Sequence, residues 1–203
     1  MIIRSLKSLT LVLFFFVGAN AQAQEGPEAF LRSFGQEAIT QLTDTSIPEA
    51  QREEYFKDML DRGFDLEAIS RFIIARYWRS AEEADRQAFI ETFKDYLSQR
   101  FLPLFAGYQG DFATGSARQD RDNPELSWVP IRFRAPNGQP VETEWRVRSL
   151  NGSYKILDVR AEGASLALTL REEYASVMRR EGGLAGLVEQ LRQQVARGAF
   201  RPD

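Results

Sequence analysis

The sequence predicts an α+β protein in which helices pack on one side of a curved four-stranded antiparallel sheet. Three observations predict it. Apolar residues recur at helical spacing through the first half of the chain and again near its end, whereas the stretch between them alternates apolar with charged residues. Turn-forming Asn-Gly pairs sit at the junctions of the alternating runs. Neither a linker, a repeat nor a low-complexity segment divides the two patterns, so each half supplies the apolar face that the other needs.

The extreme N-terminus has a different character. Arg4 and Lys7 lead into an apolar run, Leu9 to Val17, too short to span a bilayer comfortably. Ala19-Asn20-Ala21 and Ala21-Gln22-Ala23 both fit the small-x-small rule for cleavage. Residues 1–23 are therefore expected to be a secretory signal peptide cleaved near Ala21 or Ala23, and residues 24–203 a single domain. Its removal leaves 180 of the 203 residues, and because Arg4 and Lys7 are the only charges lost, the formal charge moves from −3 to −5. No later segment approaches a membrane span, so the expectation is an exported, soluble protein without overall attraction to nucleic acid or anionic headgroups.

The elements follow in order. Leu31, Phe34, Ala38 and Leu42 make the apolar stripe of a first helix, with Pro27 in its first turn and a polar turn, Thr43 to Ser46, after it. Pro48 opens a second helix carrying Tyr55, Phe56, Met59 and Leu60, and Gly63 is placed to close it. Asp65 caps a short third helix with Leu66, Ile69, Phe72 and Ile73 along one side. Ser80-Ala81-Glu82-Glu83 reads as a capping box for a long fourth helix, whose stripe is Phe89, Phe93, Leu97, Phe101 and Phe105 and whose end is marked by Pro103 and Gly107.

In the second half, Val129, Ile131 and Phe133 alternate with Arg132 and Arg134, and Val141 to Arg148 alternates apolar or threonine with charge. Pro136-Asn137-Gly138 joins these runs as a hairpin, and Asn151-Gly152 joins the second to a third strand, Tyr154 to Val159. A fainter strand covers about Asp111 to Arg118. The segment Asp158-Val159-Arg160-Ala161-Glu162-Gly163-Ala164-Ser165-Leu166 then passes from strand to helix: Gly163 permits the turn and Ser165 caps a helix with Leu166, Leu170, Tyr174 and Val177 at helical spacing. Gly182-Gly183 separates that helix from a last one, Leu184 to Ala196.

Composition excludes much chemistry. The chain contains no cysteine and no histidine, which removes disulfides, Ser-His-Asp and Cys-His nucleophiles, zinc thiolates and histidine-bound metals. Carboxylates can still take calcium or magnesium, but no acidic calcium-loop motif is present. Carboxylates remain: Asp58 with Asp61 on the second helix, or Asp158 with Tyr154 and Glu162, are the candidates for acid–base work on a cone-shaped fold. Five arginines on the alternating strands, Arg132, Arg134, Arg146, Arg148 and Arg160, read either as partners of Glu142 and Glu144 across the strands or as a strip for an anionic partner. Twelve of the fifteen phenylalanines lie beyond the leader's Phe14, Phe15 and Phe16. Either they fill a core or they wall a ligand cavity, and periodicity is the same for both.

The order Asp-Val-x-x-Glu-Gly-x-Ser-Leu, followed by Arg171 and Tyr174, resembles the MlaC family, the toluene-tolerance proteins. So do Phe64-Asp65, the stretch Ile69 to Arg76-Tyr77-Trp78, the aromatic helix, the hairpin sheet, and Gly183-Leu184 with Gly186-Leu187 near the end. The resemblance implies a nuclear-transport-factor-2-like or cystatin-like fold around a deep apolar cavity, and a monomeric periplasmic carrier of phospholipid that is no enzyme. It implies lipid contacts from Phe34, Phe56 and Leu60, from Phe72 and Ile73, and from Phe93, Leu97 and Phe101 of the helices. On the sheet side it implies Val129, Ile131, Phe133, Trp145 and Val147, with Leu166 and Tyr174 of the closing helix. It also implies two partners, an inner-membrane ABC transporter lipid-binding complex and an outer-membrane lipoprotein complex. A hopanoid-type lipid is the alternative cargo, and an enzyme on the same fold the alternative function.

Overall fold

A computed structural model describes residues 26–106, 108, 110–134 and 138–198. The leader, Gly107 and the Pro136-Asn137 part of the first hairpin lie outside the described residues. Helix α1 runs Pro27–Leu42 with its proline in the first turn, and α2 runs Glu49–Gly63. Asp65 caps α3, Leu66–Ile74, its carboxylate accepting from the Ala68 amide at 3.0 Å. A short α4, Arg76–Ser80, and the long α5, Glu83–Phe101, follow, and Pro103 sits inside a 3₁₀ turn, Leu102–Phe105, that tightens the end of α5.

The expected capping box is not formed. Ser80 ends α4, donating back to the Tyr77 carbonyl at 3.2 Å, and α5 starts after Glu82 without a side-chain cap. Gly63 does not terminate α2 in the left-handed manner either. A Cβ there would fall 2.5 Å from Cζ of Phe34, so the glycine admits the phenylalanine ring. The break between α3 and α4 falls on Ala75, at φ 50° and ψ −114°, a conformation in which an L side chain is strained.

The sheet has three long antiparallel strands, β3 (Leu126–Arg134), β4 (Pro140–Leu150) and β5 (Ser153–Ala161). The expected fourth strand is two short ones, β1 (Phe112–Thr114) and β2 (Arg118–Gln119), both paired to β3. A sixth, β6 (Ala164–Ser165), pairs β5 across a turn in which Glu162 and Gly163 have φ 52° and 82°. Asn151 and Gly152, at 49° and 81°, make the corresponding two-residue turn between β4 and β5. A bulge in β5 leaves Leu157 without a partner between the Arg146–Asp158 and Val147–Ile156 pairs, and it adds twist to the sheet.

Helices α6, Leu166–Arg180, and α7, Leu184–Ala196, close the structure. The helices cover one face of the sheet. On the other, Arg132 pairs with Glu142 at 2.7 Å, Arg118 pairs with Glu144, and Arg160 lies 3.7 Å above the Trp128 ring. The buried residues form two clusters, one among the helices and one where Leu31 of α1 meets Val129, Ile131, Val147 and Ile156. Phe34 and Phe64 pack against both. The clusters do not merge elsewhere, and that separation leaves the space described next.

Candidate functional site

Between the two clusters lies a cavity of about 610 Å³. Its walls come from α1, α2, α3, α5 and the 3₁₀ turn on the helical side, and from β1, β3, β4 and β5 on the sheet side, with the first turn of α6 closing one end. Amphipathic helices that fully met the sheet would have left no such gap. Aromatic bulk holds it open: Phe34 stacks against Phe30 and meets Phe64 edge-on at centroid distances of 5.9 and 6.1 Å, and Phe56 braces Phe105 at 6.3 Å.

Eleven of the fifteen sequence-selected residues stand on this wall. Phe34, Phe56, Leu60 and Ile73 contribute from α1 to α3, Phe93, Leu97 and Phe101 from α5, Ile131, Phe133 and Trp145 from the sheet, and Leu166 from the start of α6. Four are elsewhere. Val129 and Val147 are buried under α1 in the sheet-side cluster, and Tyr174 packs edge-on against Phe89 and Phe93 among the helices, each at 6.3 Å. Phe72 faces outward, 42 % exposed, because one residue along a helix turns about 100° away from Ile73.

Several wall residues carry no distinct sequence signal. Gly35 lets the Phe112 ring approach within 2.6 Å of where a Cβ would be, so β1 joins the wall through Phe112. Leu157 reaches it through the bulge, which no periodicity reveals. Leu104 lies on the wall yet is 62 % exposed, which marks it as part of the rim. Leu31, Ala38 and Leu42 continue the α1 stripe and were legible as such.

The polar groups on this wall are occupied. Thr143 donates to the Ile131 carbonyl at 3.0 Å and accepts from the Trp145 indole, also at 3.0 Å. Asp158 accepts from its neighbour's amide, Val159, at 2.9 Å, from the Ser165 hydroxyl at 2.7 Å and from the Ala167 amide at 3.0 Å. Ser165 in turn caps α6 through the Leu168 amide. Tyr108 donates to the Asp111 carbonyl, and burial, with the nearby Asp111 charge, raises its hydroxyl above the ordinary tyrosine pKa. What faces the space is hydrocarbon.

The other candidate carboxylates sit on outer surfaces. Asp58 pairs with Arg62 at 2.7 Å and Asp61 with Lys94 at 3.1 Å. Glu162 is exposed on the β5–β6 turn. Among the described residues no cluster of acidic side chains suits a metal ion, and no helix is long and apolar enough to cross a membrane.

A family model described as MlaC protein matches residues 33–193. Toluene tolerance protein ttg2D of Pseudomonas putida is 26 % identical over 164 residues, which cover 71 % of this chain and 76 % of that protein. The intermembrane phospholipid transport system binding protein MlaC of Haemophilus influenzae is 17 % identical over 196 residues, covering 93 % and 91 %. Among solved structures, a phospholipid-binding protein from Ralstonia solanacearum, determined in complex with a phospholipid, matches with a TM-score of 0.74 over 86 % of this chain and 99 % of that one. At 20 % identity the likeness is one of fold.

Proposed function

The chain belongs to the MlaC family, and from that premise we propose that it is a periplasmic carrier that holds the acyl chains of a phospholipid in the apolar cavity. It is exported by a leader removed near Ala21 or Ala23, works as a single domain without catalysis or cofactor, and leaves the lipid headgroup in water. It shuttles lipid between an inner-membrane ABC transporter complex and an outer-membrane lipoprotein complex, and so maintains outer-membrane lipid asymmetry.

One observation carries this reading: a cavity of about 610 Å³ in which Thr143 and Asp158 spend their hydrogen bonds on the protein. Such a wall gives a polar substrate nothing to bind, and any polar group brought inside loses its water without replacement. Hydrocarbon fits. Acyl chains recover roughly 25 cal/mol for each Å² they bury, which offsets their departure from a bilayer, and the headgroup at the rim keeps its hydration. The residues proposed to touch the tails are the eleven on the wall, with Leu104 at the rim.

Native mass spectrometry of protein purified gently from a bacterial periplasm, with extraction and identification of the bound lipid, tests the proposal. A mass increment matching phospholipid is expected. Protein that carries no lipid, and takes none up from vesicles, overturns it.

A further inference from the structure

A second concavity, a cleft of about 1150 Å³, lies on the opposite side of α3. Among the described residues its lining includes six arginines, Arg71, Arg76, Arg79, Arg86, Arg171 and Arg179, and no carboxylate. That is a strong local excess in a chain whose formal charge is −3. Only Arg71 and Arg86 have acidic partners, Glu67 at 2.6 Å and Glu83 at 3.5 Å; among the described residues Arg76, Arg79, Arg171 and Arg179 form no ion pair.

Four of the six guanidinium groups are held on aromatic faces rather than left to sweep through solvent. Arg71 and Arg86 lie 5.6 and 5.3 Å from the Trp78 ring, Arg76 lies 5.0 Å from Tyr77, and Arg171 lies 4.8 Å from Phe72. Stacking fixes each planar fork; Arg76 gives one N–H to the Tyr77 hydroxyl at 3.1 Å and Arg86 one to the Trp78 carbonyl at 2.9 Å, and Arg76 and Arg171 keep further N–H groups for a carboxylate. Phe72, which the cavity does not use, stands among them as an exposed aromatic anchor of the kind that dominates protein contacts. The strained Ala75 backbone forms the break that turns Tyr77 and Trp78 into the cleft, and strain of this type is kept where a surface has work to do.

We infer that this cleft is a docking site for an acidic protein segment, one that presents carboxylates to the unpaired arginines and an apolar side chain to Phe72. A flat anionic bilayer would touch only the rim of a concave cleft, whereas a peptide segment fills it. The inference goes beyond cargo binding and stands on the cleft alone.

The test uses the full mature protein and a synthetic helical peptide with a glutamate-rich face and one leucine anchor, its glutamine counterpart, and vesicles containing phosphatidylglycerol. The glutamate peptide is expected to bind, to weaken as salt rises, and to lose about tenfold or more in affinity with Arg79→Glu/Arg179→Glu. Phe72→Ala should weaken it too, while Arg132→Glu on the far face of the sheet leaves it unchanged. Both arginines are exposed, so thermal melting and the bound-lipid content of the variants should match the parent; loss of lipid in the parent itself would count against the carrier reading and not against this one. Equal binding of the glutamine peptide, absence of binding by either, or vesicle binding that responds to the same charge reversals while the peptide does not, overturns the inference.

Discussion

The Phe34 ring occupies the volume that any side chain at position 63 would need, with its Cζ 2.5 Å from where a Cβ on Gly63 would sit. The contact joins α1 to the end of α2 and sets one wall of the cavity. Gly63→Ala must displace the ring and is expected to cost about 1–3 kcal/mol in urea unfolding. Adding Phe34→Ala removes the clash, so the two changes should be strongly non-additive in a double-mutant cycle.

Leu104 separates binding from folding. It is on the cavity wall but 62 % exposed, so Leu104→Asp should change stability by no more than about 0.5 kcal/mol. Loss of its contact with an emerging acyl chain is expected to weaken retention of a fluorescent phospholipid by about fivefold. Unchanged retention would remove Leu104 from the proposed rim.

Asp158 tells an acid–base group from a structural one. Its three hydrogen bonds fasten the β5 bulge to the start of α6, so Asp158→Ala should cost about 2 kcal/mol of stability, read from the thermal midpoint. Ser165→Ala should lose part of the same energy. Under the carrier reading, lipid content per folded molecule stays near the parental value in both variants.

Alkaline pH should unfold the protein earlier than its net charge suggests. Burial, with Tyr96 close by, holds the Tyr174 hydroxyl well above the ordinary tyrosine pKa, and Lys57 and Lys94, although partly desolvated, are raised by hydrogen bonds to Asp95 and Glu53 and to Glu91 and Asp61. In all three the folded state holds its proton more tightly than the unfolded chain does. Their stabilisation is complete below the unfolded values and is lost as pH rises through about 10 and toward the folded ones. Tyr174→Phe should flatten the first part of that decline in a plot of unfolding free energy against pH.

The layers of this fold were legible because burial imprints a period on sequence. The stripe Leu31-Phe34-Ala38-Leu42 and the alternation through Val141 to Val147 each placed an element and its inward face. Depth along a face leaves no such imprint: Val129 and Ile131 share the inner side of β3, yet the first lies under α1 and the second meets the cavity. Local hydrogen bonding was also ambiguous, since Ser80 has the neighbours of an N-cap but closes the preceding helix. The Leu157 bulge is a matter of strand register and had no signal at all.

Ile73 borders both hollows, its side chain on the wall of the cavity and on that of the arginine cleft. Helix α3 is thus a partition one helix thick, and a shift of it that enlarges one space is felt in the other. If an occupant of the cleft favours one position of α3, cargo that favours the opposite position must weaken the occupant's hold by the same factor that the occupant weakens cargo. A loaded molecule and an emptied one would then offer the cleft's occupant different affinities.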